Sequence, residues 1–168
     1  MVLTISQQHI SDMSAHAERV YPEECCGLML GQIARSAEDA FLVREVLELL
    51  PLENRWRAEC PCESAAASQR LTRARRYAID PKDMLRSQKQ AREKGLNIIG
   101  IYHSHPDHTA EPSECDRAQA WPDYIYTIVS VMKGRAVDTL HWTLDSNHQF
   151  QLANIQAPSG YVTGCYPA

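Results

Sequence analysis

The chain has 168 residues, 44% of them hydrophobic and 23% charged. Those proportions exclude an intrinsically disordered or fibrous architecture and leave material for one core rather than two. Lys and Arg number 17 against 21 Asp and Glu, a net charge of -4, the wrong sign for a protein that holds nucleic acid by neutralising phosphates.

Ser6 suits a helix N-cap, and Ile10, Met13, Ala17 and Val20 recur at spacings of three and four, predicting an amphipathic helix closed at Tyr21-Pro22. Cys25 to Gly31 is an apolar run bounded by glycine and reads as a buried strand. Phe41 to Leu50 mixes apolar with acidic residues, and its valines and the closing Pro51 favour a strand. Residues 53–76 contain Cys60-Pro61-Cys62, Ala65-Ala66-Ala67 and then Arg70, Arg73, Arg75 and Arg76. They read as an inserted loop, partly helical in its second half.

Asp80-Pro81-Lys82-Asp83 is a strong helix start, with Asp80 as cap and Pro81 at the first helical position, and Gly95 ends that helix. Asn97 to Tyr102 is a nearly continuous apolar run, as expected of a central strand, and it leads directly into His103-Ser104-His105-Pro106. Ser113 caps a further predicted helix that ends by Trp121-Pro122. Tyr124 to Met132 reads as a strand, Lys133-Gly134-Arg135 as a turn, Ala136 to Leu144 as a second strand and Gln149 to Ile155 as a last one. The interleaving predicts one α/β domain over residues 1–168, with a mixed sheet flanked by helices on both faces and an insertion at about 53–76.

No apolar run approaches the ~18 residues of a membrane span, and residues 1–8 lack the basic and apolar segments of a signal peptide. The expected location is the cytosol, where the six cysteines (Cys25, Cys26, Cys60, Cys62, Cys115, Cys165) are expected to stay thiols.

The chemistry concentrates in His103-x-His105, followed after seven residues by Ser113-x-x-Asp116. In an extended segment, residues two apart point to the same side, so the two imidazoles can converge on one cation. The loop is long enough to bring Asp116 back over them. Two His and one Asp make three ligands, the count of a catalytic zinc whose fourth position is kept for water. At this chain's composition the full pattern arises by chance about once in a thousand sequences. A zinc hydrolase also needs a proton acceptor near the metal. Glu24, where the first helix meets the strand at Cys25, and its neighbour Glu23 are the two candidates that position leaves open.

These residues resemble the JAMM, or MPN-plus, zinc metallopeptidases, whose signature is His, Ser or Thr, His, seven residues, Ser, two residues, Asp. His103-Ser104-His105, Ser113 and Asp116 match every defined position. The family's catalytic glutamate lies two residues before a Cys-Gly pair, here Glu24-Cys25-Cys26-Gly27, which selects Glu24 over Glu23. The similarity is strongest to short stand-alone prokaryotic members. It implies a JAB/MPN-like domain with cytidine-deaminase-like layering, one Zn2+ per chain on His103, His105 and Asp116, Glu24 as general base and then acid, and Ser113 as the oxyanion's hydrogen-bond donor. The implied substrate is a ubiquitin-like sulfur-carrier protein with a Gly-Gly tail. The competing class is a non-catalytic zinc-containing module that binds ubiquitin-like tails; Glu24 and Ser113 favour the enzyme, because a pure binder needs neither group.

Other signals read more plainly. Cys60 and Cys62 lack a second ligand pair at zinc-finger spacing and read as surface thiols. A nucleoside deaminase would need His-x-Glu and Pro-Cys-x-x-Cys, whereas here Pro61-Cys62 is followed by Glu63-Ser64-Ala65 with no second thiolate and the metal histidines are spaced His-x-His. The four arginines are either a solvated face or a docking patch for an acidic protein. His9, His16, His141 and His148 read as surface or packing residues, His108 as a possible substrate contact, and Trp121, Trp142 and Tyr126 as core.

Overall fold

The computed structural model describes residues 1–35, 42–57 and 73–157. In chain order its elements are β1 (Val2–Thr4), α1 (Gln7–Val20), β2 (Cys26–Arg35), β3 (Leu42–Leu52), α2 (Pro81–Glu93), β4 (Asn97–Pro106), α3 (Glu114–Gln119), β5 (Ile125–Met132), β6 (Arg135–Leu144), β7 (Phe150–Leu152) and β8 (Asn154–Gln156). The helices begin where their caps predict. Ser6 Oγ accepts the N–H of His9, Asp80 accepts that of Lys82 with Pro81 in the first turn, and Ser113 accepts that of Asp116.

The strands form one mixed sheet in the order β7-β6-β5-β4-β2-β3-β1-β8. β4 runs parallel to β5 and antiparallel to β2, and β1 runs parallel to both β3 and β8. Two features depart from the sequence reading. β1 was not foreseen. The predicted last strand, Gln149 to Ile155, is two strands at opposite ends of the sheet order, linked by Ala153 alone. One residue advances the chain by only a few ångströms, so the sheet must curl until its two ends adjoin, giving a nearly closed, barrel-like sheet.

Alternate residues of β2 feed two apolar clusters. Met29 joins Leu3, Ile99 and Tyr102 with Met13 and Ala17 of α1, whereas Leu28 and Leu30 join Ile98 and Ile101 with Met84 and Ala91 of α2. A bulge serves this division: Met29 pairs with Gly100 and Leu30 with Ile98, so Ile99 is an extra residue in β4. Gly27 is required where it stands, because a Cβ there would run into the ring of Tyr102. That tyrosine's hydroxyl lies 3.0 Å from His16 Nδ1, so His16 is a packing residue.

Most of the expected insertion, including Cys60, Cys62 and Arg70, lies outside the described residues, as do Phe41 and Cys165. Among the described residues Cys25 and Cys26 remain thiols. Among the described residues no helix is long and apolar enough to cross a membrane.

Candidate metal centre and its cleft

β4 lies in the middle of the sheet, and its C-terminal end carries the two histidines. Because side chains alternate along a strand, His103 and His105 share one face and Ser104 takes the other. The Nε2 atoms of the histidines lie 3.1 Å apart. Asp116, in the first turn of α3, places Oδ1 3.3 Å from His103 Nε2 and Oδ2 3.4 Å from His105 Nε2. A tetrahedral zinc with bonds of ~2.0–2.2 Å holds its ligand atoms roughly 3.3–3.6 Å apart, so these separations are close to the edges of such a polyhedron. The three residues form a group able to hold a metal ion.

His103 and Asp116 are held in the protonation states a metal needs, and His105 is oriented by a backbone partner. His105 Nδ1 donates to the carbonyl of Thr109 at 2.9 Å, which leaves Nε2 with its lone pair toward the other donors. Burial holds the His103 imidazole below its usual value and so neutral; its Nδ1 is buried without a partner, and Tyr77 stacks on its ring with centroids 4.5 Å apart. For His105, burial opposes a charge, but the Asp116 carboxylate, the Thr109 carbonyl and Glu24 outweigh it and raise the imidazole above its usual value. Burial likewise works against ionisation of Asp116, yet the two imidazoles and the Ser113 side chain hold its carboxyl far below the ordinary range. Ser113 N–H donates to Asp116 Oδ2 at 2.7 Å and Asp116 N–H to Ser113 Oγ at 3.2 Å, a capping box that fixes ligand and helix together.

Glu24 sits at the start of β2, 5% exposed. Its N–H donates to the carbonyl of Arg73 at 2.7 Å and its carbonyl accepts from Asn54 Nδ2 at 3.0 Å. The next amide, that of Cys25, donates to Ser104 Oγ at 2.9 Å. Burial pushes the Glu24 carboxyl up to about 8, with His105 and Arg76 pulling it down and Asp116 pushing it up. Glu24, His105 and Ser113 line one cleft of about 360 Å3 together with Arg75, His108 and Glu111. Glu23 is half exposed and lies 3.7 Å from Arg73 Nη1. All five predicted site residues therefore converge, and Glu23 is directed elsewhere.

The loop from β4 to α3 is pinned by three side chains on consecutive carbonyls. Ser130 Oγ donates to His108, His105 to Thr109 and Trp142 Nε1 to Ala110, at 2.6, 2.9 and 3.0 Å. His148 Nε2 donates to the carbonyl of Arg117 in α3 at 2.8 Å. A smaller hollow of about 140 Å3 ends at Asp116 and is lined by Tyr77, Ile79, Ile101, Trp121 and Tyr124. Trp121, expected in the core, is 62% exposed and stacks on Tyr124, because α3 ends at Gln119, two residues before it, and releases the chain to the surface. Tyr77 and Asn54 are the residues the sequence reading missed. Both fall at the margins of the supposed insertion, where no periodicity ties them to the histidines.

A mixed sheet whose central strand ends in paired imidazoles, with a carboxylate from a capped helix closing on them, defines an α/β domain organised around a cation site. The chain belongs to the prokaryotic homologs of the JAB domain, whose sequence profile matches residues 6–145. It is 31% identical over 134 residues to the desampylase of Haloferax volcanii, an overlap covering 79% of this chain and 78% of that protein. It is 30% identical over 120 residues to a probable TtuB-protein conjugate cleaving protease of Thermus thermophilus, covering 71% and 64% respectively. The solution structure of a Salinibacter ruber protein superposes with a TM-score of 0.65 at 31% identity, covering 94% of this chain and 92% of that one.

Proposed function

We propose that this protein is a JAMM-type zinc metallopeptidase that hydrolyses a peptide or isopeptide bond at the C-terminal tail of a ubiquitin-like or sulfur-carrier protein. The observation that carries this reading is a donor triad at tetrahedral-edge separations, one member of which, His105, lines the same cleft as a buried carboxyl, Glu24. The names of the two relatives, a desampylase and a protease of TtuB-protein conjugates, support a tail of ubiquitin-like type as the substrate. In this reading residues 1–168 act as one domain with deaminase-like layering, and Ala74, Arg75 and Arg76 at the end of the insertion line the cleft.

His103 and His105 would hold the zinc through Nε2 and Asp116 through its carboxylate. When bound, zinc supplies a Lewis acid that makes a water molecule acidic near neutral pH. Glu24 accepts a proton from that water on its carboxylate and returns it to the departing nitrogen, a role for which a carboxyl raised toward neutrality is suited. Ser113 Oγ accepts from the Asp116 amide, and its O–H, within reach of the Asp116 carboxylate, would turn to donate to the carbonyl oxygen as negative charge develops there. Burial of His103 and Glu24 excludes bulk water and strengthens each of these interactions.

The test is mass spectrometry of two substrates after incubation with the zinc-loaded protein. One is a carrier whose Gly-Gly tail is extended by a peptide bond; the other is the same carrier joined by an isopeptide bond to a lysine. A product ending at Gly-Gly from either supports the reading. Two intact substrates would overturn it.

A further inference from the structure

The arginines of the 53–76 segment do not share one role. Arg73 is engaged by the Trp56 carbonyl at 3.3 Å and by Glu23, and Arg76 donates to the carbonyl of Arg75 at 2.7 Å while its charge acts on Glu24. Arg75 differs from both. It is exposed, it lines the same cleft as Glu24, His105 and Ser113, and among the described residues it has no carboxylate partner. Its guanidinium instead donates to His108 Nε2 at 3.0 Å. A guanidinium has no acceptor atom, so that ring nitrogen must be the acceptor, and among the described residues no other group takes up the remaining Arg75 side-chain donors. His108 belongs to the pinned loop whose next carbonyl, that of Thr109, orients His105. Arg75 is thereby positioned against the candidate metal ligands through one contact across 33 residues of chain.

The two hollows beside the metal centre differ in character. The one that reaches Asp116 is largely aromatic and apolar, whereas the one lined by Glu24 and His105 is charged, with Arg75 and Arg76 beside the carboxylate of Glu111. A polypeptide lying across the centre would have apolar surface at one end and a fixed positive charge at the other. We propose that Arg75, held by His108, is a subsite for a carboxylate of the substrate. The preferred substrate is then a tail whose residue in the cleft carries a free carboxylate, and a guanidinium is the side chain best matched to that planar group. This inference rests on the peptidase reading and narrows its substrate class.

The carboxylate could be the terminal one or that of an acidic side chain, and three fluorescent tail peptides separate these sources. Each contains Gly-Gly with a trans-alkene replacing the scissile amide, so that it cannot be turned over. They end in a neutral residue as free acid, in the same residue as amide, and in Asp amide with its side chain free. Binding is read by anisotropy on the zinc-loaded protein, on Arg75→Gln and on Arg75→Lys. The expected result is that the protein binds one or both carboxylate peptides about 10- to 100-fold more tightly than the neutral amide. Arg75→Gln abolishes that preference without weakening the neutral amide, and Arg75→Lys restores part of it. Equal binding of all three peptides to the parent protein, or an equal loss for all three in Arg75→Gln, overturns the subsite. A protein that prefers the carboxylate but leaves both full-length carriers intact overturns the peptidase reading alone.

Discussion

Ser104 and Cys25 exchange two hydrogen bonds: the Cys25 amide donates to Ser104 Oγ at 2.9 Å, and the Ser104 amide donates to the Cys25 carbonyl at 3.2 Å. The serine between the two histidines thus faces away from them and fastens β4 to the residue after Glu24. Ser104→Ala leaves the buried Cys25 N–H without its acceptor and should cost about 1–3 kcal/mol, while Ser104→Thr retains the hydroxyl. Urea unfolding of both variants measures this. Zinc content should stay at the parent level in Ser104→Ala, since no ligand is touched, and turnover should fall because Glu24 loses its anchor. A Ser104→Ala protein as stable as the parent would contradict the account.

The metal is expected at one zinc per chain. His103→Ala should abolish it, and chelation should lower the thermal midpoint, because a ligand that binds only the folded chain stabilises it. Binding requires neutral imidazoles and an ionised Asp116, so affinity should fall as pH drops through the imidazole range. Elemental analysis decides, and equal zinc in His103→Ala and the parent would remove His103 from the ligand set.

Glu24→Gln should keep both fold and zinc while losing roughly 10²-fold or more in rate, the scale of general acid–base catalysis. Ser113→Ala should lose a comparable factor as an oxyanion donor, together with about 1 kcal/mol of stability because the same hydroxyl caps α3. Measuring turnover beside zinc content separates chemistry from metal loss. A Glu24→Gln enzyme cleaving at the parent rate would return the base to Glu23.

His141 gives a pH dependence independent of the metal site. It is 3% exposed in β6, 2.8 Å from Thr127 Oγ1, and burial lowers it to about 4. Between that value and its ordinary ~6.5 the unfolded chain binds a proton that the folded chain does not, so stability is full above ~6.5 and is lost as pH falls toward 4. The whole effect is about 3 kcal/mol at most. Denaturation at pH 7 and pH 4 should show the parent losing up to that much more than His141→Gln, and identical losses would show that His141 does not titrate with unfolding.

What was legible in the sequence is what local chemistry decides. Caps at Ser6, Asp80 and Ser113 act within one helical turn, and the two-residue spacing of His103 and His105 implies a shared face in any strand, so the three helices and the grouping of the candidate donors could be read directly. Tertiary structure alone decided the rest. β1 is three residues long and exists through its pairing with β3 and β8. Residues 149–155 read as one strand because nothing local marks Ala153 as the point where the curled sheet changes ends. Tyr77 over His103, Asn54 beneath Glu24, Thr109 on His105 and Arg75 on His108 are contacts between segments distant in sequence or made through backbone atoms, and no periodicity encodes them. The triad's grouping follows from spacing, whereas the neutral state of His103 and the ionised state of Asp116 come from burial and from partners that only the folded sheet brings within reach.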